Sequence, residues 1–231
     1  MRVFAIADPH LSRVHPKPMT IFGPTWKGHP EAFFHGWRQV VGPEDLVVVP
    51  GDISWAMRLP EALPDLLDLA ALPGKKVLLK GNHDYWWPSI SRLRAVLPSG
   101  MYALQNDAVV VEGVAVAGTR GWQYPPPTLE DERIFAREVE RFKLSLQDLK
   151  GRAYRHLVVA FHFPPFGPSG EATPLLELAA EAGPEAIVYG HLHGADPERL
   201  PKEYQGIPLH LVAADALGFR PKLLLESPAP L

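Results

Sequence analysis

Nine side chains of this sequence that can bind a metal or move a proton follow the ends of short apolar runs. Asp8 and His10 close "RVFAIADPH", Asp52 closes "LVVVPGD", and Asn82, His83 and Asp84 close "KVLLKGNHD". His162 lies in "HLVVAFHF", and His191 and His193 close "EAIVYGHLH". Taken singly, each has an ordinary explanation. Asp8 before a proline and Asp52 after Gly51 are turn formers, Asn82 a left-handed cap, His10 a surface residue, and His162 a satisfied core histidine. His191 and His193 could simply flank a tight glycine turn. Packing, however, gives no reason for five strands to end in metal-ligand residue types. Asp8 and His10, two apart in an extended segment, would point the same way, and a turn at "GHLH" would let its two histidines serve two adjacent ions. Asp8, His10, Asp52, Asn82, His162, His191 and His193 make seven candidate ligands. That is too many for one ion and suits two that share a bridging carboxylate. The chain has no cysteine, so any metal is held by nitrogen and oxygen and disulfides are excluded.

The elements that must position these residues follow from the same runs. They are short, nearly continuously apolar and rich in β-branched residues, the pattern of strands buried on both faces. Between them helical spacing appears in "PEALPDLLDLAAL", "SISRLRAVL" and "TLEDERIFAREVERFKLSLQDL", where Thr128 is a candidate N-cap before an acidic first turn. Strands alternating with helices predict an α/β fold, in which ligands collect beyond the carboxyl ends of the strands. Within "MYALQNDAVVVEGVAVAGTRGW" two strand-like runs meet at Glu112-Gly113, a hairpin signal, and "IPLHLVAAD" and "RPKLLLE" look like another pair of strands. No linker, repeat or low-complexity tract intervenes, so a single domain over 1–231 with parallel and antiparallel pairing is expected. Long loops are predicted at 11–30, 122–127 and 163–173, and long loops in a compact domain are more often functional than idle.

Composition narrows the partners. Of 231 residues, 46% are hydrophobic and 21% charged, as in ordinary globular proteins, and either one large domain or two small ones could bury a core. A net charge of −3 without a basic run argues against a long nucleic-acid groove. No stretch approaches the roughly 20 apolar residues of a membrane span, and "MRVFAIADPH" reads directly into a strand rather than a signal peptide, so a cytoplasmic protein is expected.

The motifs "DPH", "GD", "GNHD", the His162 of "FHFPP" and "GHLH", in this order over residues 8–193, resemble those of the calcineurin-like metallophosphoesterase superfamily. The wider text, "FGPTWKGH", "GDISWAM", "GNHDYWW" and "GTRGW", resembles a bacterial branch of predicted phosphohydrolases. The resemblance implies an α/β, four-layer sandwich, two mixed β-sheets flanked by helices, with metals at one end of the strands. It also implies one metal held by Asp8, His10, Asp52 and His193, and a second held by Asp52, Asn82, His162 and His191. His83 would then be the proton donor to the leaving oxygen, held in orientation by Asp84, and a metal-bridging hydroxide the nucleophile. Such donors suit manganese, iron, zinc, cobalt or nickel, with Mn²⁺ expected first by resemblance.

The expected substrate is a small phosphodiester or phosphomonoester, a nucleotide among the options. Arg58 and Arg120 could reach a substrate phosphate, since Arg suits bidentate phosphate contacts. Trp26, Trp55, Trp86, Trp87 and Trp122 could stack on a base, Trp86 and Trp122 being the substrate-binding candidates. The alternative is that these rings fill volume under long loops and brace the ligands. A nuclease of the same fold and a non-catalytic scaffold are the other function classes; the scaffold is disfavoured because every ligand and His83 are retained.

Overall fold

The structure, a computed structural model, describes residues 1–226. The end of the Leu-rich tail, 227–231, lies outside the described residues. In chain order the elements are β1 (Arg2–Ala5), α1 (His29–Val40), β2 (Leu46–Pro50), α2 (Leu59–Ala70), β3 (Lys75–Leu79), α3 (Ile90–Arg94), β4 (Met101–Leu104), β5 (Val109–Val111) and β6 (Val114–Thr119). There follow α4 (Leu129–Asp148), β7 (His156–Phe161), α5 (Pro174–Glu181), β8 (Ala186–Tyr189), β9 (Glu203–Tyr204), β10 (Ile207–Leu211) and β11 (Lys222–Glu226).

The strands form two mixed sheets, ordered β11-β1-β2-β3-β4 and β5-β6-β7-β8-β10-β9. In each sheet four adjacent strands run parallel and the remaining edge strands run antiparallel. The nearly continuous apolar runs have a direct cause: alternate residues of one strand enter different cores. Val3 and Ala5 of β1, Val48 of β2 and Val77 of β3 meet Val158 and Ala160 of β7 and Val188 of β8 between the sheets. On the outer face of the first sheet Phe4, Val47 and Leu78 pack with Phe33 and Trp37 of α1, Leu66 of α2 and Leu93 of α3. On the outer face of the second, Val159, Phe161 and Ile187 pack with Phe142 of α4 and Leu176 of α5. The result is four layers, helix–sheet–sheet–helix, as the resemblance implies.

Local signals account for several boundaries. Thr128 caps α4, its hydroxyl oxygen accepting from the Asp131 amide at 3.2 Å, beside Glu130 and Asp131 in the favourable N-terminal turn. Glu112 and Gly113 both take positive φ and join β5 to β6 as an antiparallel hairpin. Two expectations are corrected. β10 and β11 are strands but not partners of each other: β10 lies parallel to β8, and β11 antiparallel to β1, in the other sheet. The segment 11–30 is not one open loop. It carries 3₁₀ turns at Thr20–Phe22 and Pro24–Trp26, and α1 begins at His29. Its residues Met19 and Trp26 are buried in the first-sheet core.

Candidate metal centre

At the carboxyl ends of the parallel strands the sheets touch. The Ala7 amide donates to Val212 O at 2.7 Å and the Ala214 amide to Ala7 O at 3.0 Å, so the chain leaving β1 bonds to the chain leaving β10 across the sandwich. This junction brings the ligand types of the first sheet within reach of those of the second.

The chain turns sharply at four of the seven ligands. Asp8, His10, Asp52 and His191 all adopt left-handed backbone, with φ of 59°, 45°, 52° and 70°. For residues with a Cβ this costs of the order of 1–3 kcal/mol each and persists only where the surroundings impose it. Here they do: the Asp8 amide donates to Gly51 O, and the His10 amide to Asp52 O, both at 3.0 Å. The expectation that Asp8 and His10 converge through extended alternation is therefore corrected; both lie beyond the end of β1, and the left-handed turns set their directions. Two motif glycines are explained by the same crowding. A Cβ on Gly81 would stand 2.1 Å from Asp52 Oδ1, and one on Gly190 would stand 2.5 Å from Asp8 Oδ2.

Two groups of donors result. Asp8, His10 and His193 offer ligand atoms within 4.8 Å of one another, as do Asp52, His162 and His191. Asp52 lies between the groups: its Oδ2 is 3.7 Å from His10 Nε2 and its Oδ1 3.6 Å from His162 Nε2. Asn82 joins the second group through Oδ1, 2.6 Å from His162 Nε2.

Several features fit these residues to divalent cations. Asp8 Oδ1, His10 Nδ1 and Asp52 Oδ2 are buried without a hydrogen-bond partner among the described residues, a state that costs roughly 1–3 kcal/mol per group. His162 Nδ1 lies 3.0 Å from Pro50 O, an acceptor only, so that nitrogen carries the proton and Nε2 presents a lone pair. That lone pair lies beside the Asn82 carbonyl oxygen, so two acceptors converge where a cation could be shared. His193 is arranged alike, Nδ1 lying 3.2 Å from Asp215 Oδ1 while Nε2 faces His10 Nε2 at 3.2 Å.

The electrostatics of the bare chain agree. Burial, and then the neighbouring Asp52 charge, push the Asp8 carboxyl well above its usual range; burial also raises Asp52, to about 6. Burial lowers His10 strongly, and takes His162 and His191 down to about 3. Buried carboxylates beside imidazoles that stay unprotonated offer lone pairs rather than positive charge, the donor chemistry that suits a divalent cation.

The remaining sequence candidates divide. His83 sits at the mouth, its amide donating to Asp52 Oδ1 at 2.8 Å. Its ring makes no hydrogen bond among the described residues and lies against Trp55, with centroids 4.5 Å apart. Asp84 does not orient it. The buried Asp84 carboxylate accepts from the amides of Ile53, Ser54 and Gly81 and from Trp86 Nε1, at 2.8 to 3.2 Å, and so ties the turn after β3 to the turn after β2. Trp86 is likewise corrected: 2% exposed, it belongs to the core and cannot meet a substrate. Trp26 and Trp87 are also buried, and Trp26 sets its edge against His10 and His193. Trp55 stacks on His10 at 4.8 Å. These rings brace ligands. Trp122 is partly exposed, donates to Asp131 Oδ1 and packs on Phe163, which in turn packs on His191. Arg120 flanks the site, its carbonyl accepting from the His162 and Phe163 amides. Arg58 is exposed at the start of α2, and no described bond links its side chain to the centre.

Asp215 was not among the sequence candidates. Besides meeting His193, it accepts from the Gly194 amide at 2.8 Å. Its signal was present, since "LVAAD" is one more strand followed by a carboxylate, at the end of β10.

The calcineurin-like phosphoesterase family model matches residues 1–195. No curated protein matches the chain. Among solved structures, the Phosphopantetheinyl Hydrolase of Mycobacterium tuberculosis is similar over 100% of this chain and 98% of its own, with 14% identity and a TM-score of 0.64. The protein of unknown function AQ665 of Aquifex aeolicus matches 96% of this chain and 95% of its own, with 16% identity and a TM-score of 0.49.

Proposed function

The chain belongs to the calcineurin-like phosphoesterase family, and on that premise we propose that it is a dinuclear metal-dependent phosphohydrolase acting on a phosphodiester or phosphomonoester. The observation that carries this reading is the position of Asp52, with one carboxylate oxygen toward each donor group. Asp8, His10, Asp52 and His193 would hold one cation, and Asp52, Asn82, His162 and His191 the other, with Mn²⁺ the first choice. When bound, such a pair supplies Lewis acidity toward water and the phosphoryl oxygens.

The chain's own residues do the rest. Pro50 O and Asp215 hold the Nδ1 protons of His162 and His193, so that each Nε2 points inward. Trp26 and Trp55 exclude water from the faces of His10. As the ester bond breaks, its leaving oxygen takes a proton from His83, whose ring nitrogens are free for substrate. Burial holds the His83 pKa below its usual value, and the Asp52 charge opposes that shift. An arriving anionic phosphoryl group raises it back toward neutrality, the range in which a general acid works best.

The test is hydrolysis of p-nitrophenyl phosphate and bis-p-nitrophenyl phosphate by metal-stripped protein titrated with Mn²⁺, beside Asp52→Asn. Metal-dependent turnover that the variant lacks is expected. Equal turnover by the variant would overturn the reading. His83→Ala should lose about 10²–10⁴-fold on poor leaving groups and far less on p-nitrophenol; equal losses on both would remove the acid role.

A further inference from the structure

Beside the metal ligands, at the same end of the sandwich, a cavity of about 110 Å³ opens where β3, β4 and β6 end. Lys80, Trp87, Gln105, Arg120, Glu138 and Arg141 line it. Three cations face one carboxylate there, leaving two positive charges in a chain whose net charge is −3. The carboxylate is already engaged. Glu138, 1% exposed, accepts from the Thr119 hydroxyl and from Arg141 Nη1 at 2.6 Å, and Arg120 Nη2 reaches it only at 3.5 Å.

Two donors are left over. Arg120 Nε is buried with no hydrogen-bond partner among the described residues, although its guanidinium lies over the Trp122 ring at 4.6 Å. Half-buried Lys80 makes no hydrogen bond or ion pair among the described residues. A buried guanidinium N–H without an acceptor is costly, and its natural complement is an oxyanion. A space of about 110 Å³ admits a phosphate or carboxylate group.

We propose that this cavity is an oxyanion subsite in which Lys80 and Arg120 bind a compact phosphate or carboxylate group. It is coupled to the metal centre through the Arg120 carbonyl, which bonds to the His162 amide at 3.1 Å. The anion is either a second group on the ester being cleaved, a use that rests on the phosphohydrolase reading, or a free ion such as product phosphate. The subsite itself does not depend on that reading.

Calorimetric titration of inorganic phosphate into the full chain, stripped of metal and dialysed into chloride buffer, tests the subsite without turnover. One phosphate per chain is expected. Loss of one charge-assisted contact in Lys80→Met should weaken binding about tenfold to a hundredfold, while Lys80→Arg keeps it, and Lys80→Gln serves should the Met variant fail to fold. No saturable binding by the wild type, or equal affinity in folded charge-free variants, would overturn the proposal. With metal restored, a bisphosphate ester preferred over a monophosphate, and that preference falling in Lys80→Met, identifies the anion as part of the substrate. Equal use of both esters, with free phosphate changing turnover through Lys80, identifies a free ion.

Discussion

At the scale of the residue, the side chains with roles forced by chemistry were the legible ones. A site for hard or borderline cations without cysteine must use His, Asp and Asn, so Asp8, His10, Asp52, Asn82, His162, His191 and His193 stood out in the text. Residues acting through another residue did not. A lone Asp215 after a strand reads as a turn former until His193 Nδ1 is found 3.2 Å away, and the choice of Asp84 between His83 and four N–H donors is made only in three dimensions. Asp215→Asn is expected to weaken metal affinity about 10–100-fold, measured by competition with a chromophoric chelator. Metal affinity should also depend on pH in a defined direction. In the metal-free chain Asp52 is raised to about 6 and Asp8 well above its usual range, so as pH falls a cation must displace a proton from each, whereas His162 and His191 stay neutral down to about 3 and do not compete. Affinity therefore falls as pH drops through about 6, with protons released on binding. An affinity that is flat from about pH 5 to 8 would refute this assignment.

At the scale of the element, strands and capped helices were readable because period and cap chemistry are local. α4 is the clearest case, starting one residue after Thr128. α1 was not, since His29-Pro30 opens it and Gly36 interrupts its apolar stripe of Phe33 and Trp37. Nor were the left-handed strand ends, which are imposed by bonds between turns distant in sequence. Thr128→Ala should cost about 1 kcal/mol of stability by chemical denaturation without changing metal binding. Gly190→Ala should cost about 1–3 kcal/mol through overpacking against Asp8 and Ala7 and should also weaken metal binding; normal binding would show that the close approach is not needed.

At the scale of the whole molecule, mixed pairing was visible in the sequence, but the division into two sheets came only by resemblance. Strand signals do not state partners, and β10 and β11, close in sequence, lie in different sheets. The site depends on both sheets at once, because Asp8 and His10 come from one and His193 from the other. No described helix is long and apolar enough to cross a membrane. Cations bound across the junction should stabilise the fold as a unit. At a hundredfold excess over Kd the gain is about 2.7 kcal/mol for each ion bound, or about 5–10 °C in Tm per ion for a chain of this size; an unchanged Tm would show that the native chain binds no cation.

The central claim, two cations sharing Asp52, is tested most directly by following the rate of p-nitrophenyl phosphate hydrolysis against equivalents of Mn²⁺ added to stripped protein, with bound metal counted in parallel. The rate is expected to rise until two ions per chain are bound, and Asp52→Asn neither to reach that stoichiometry nor to turn over. A rate that saturates with one ion, or that persists in the stripped chain, would contradict that claim.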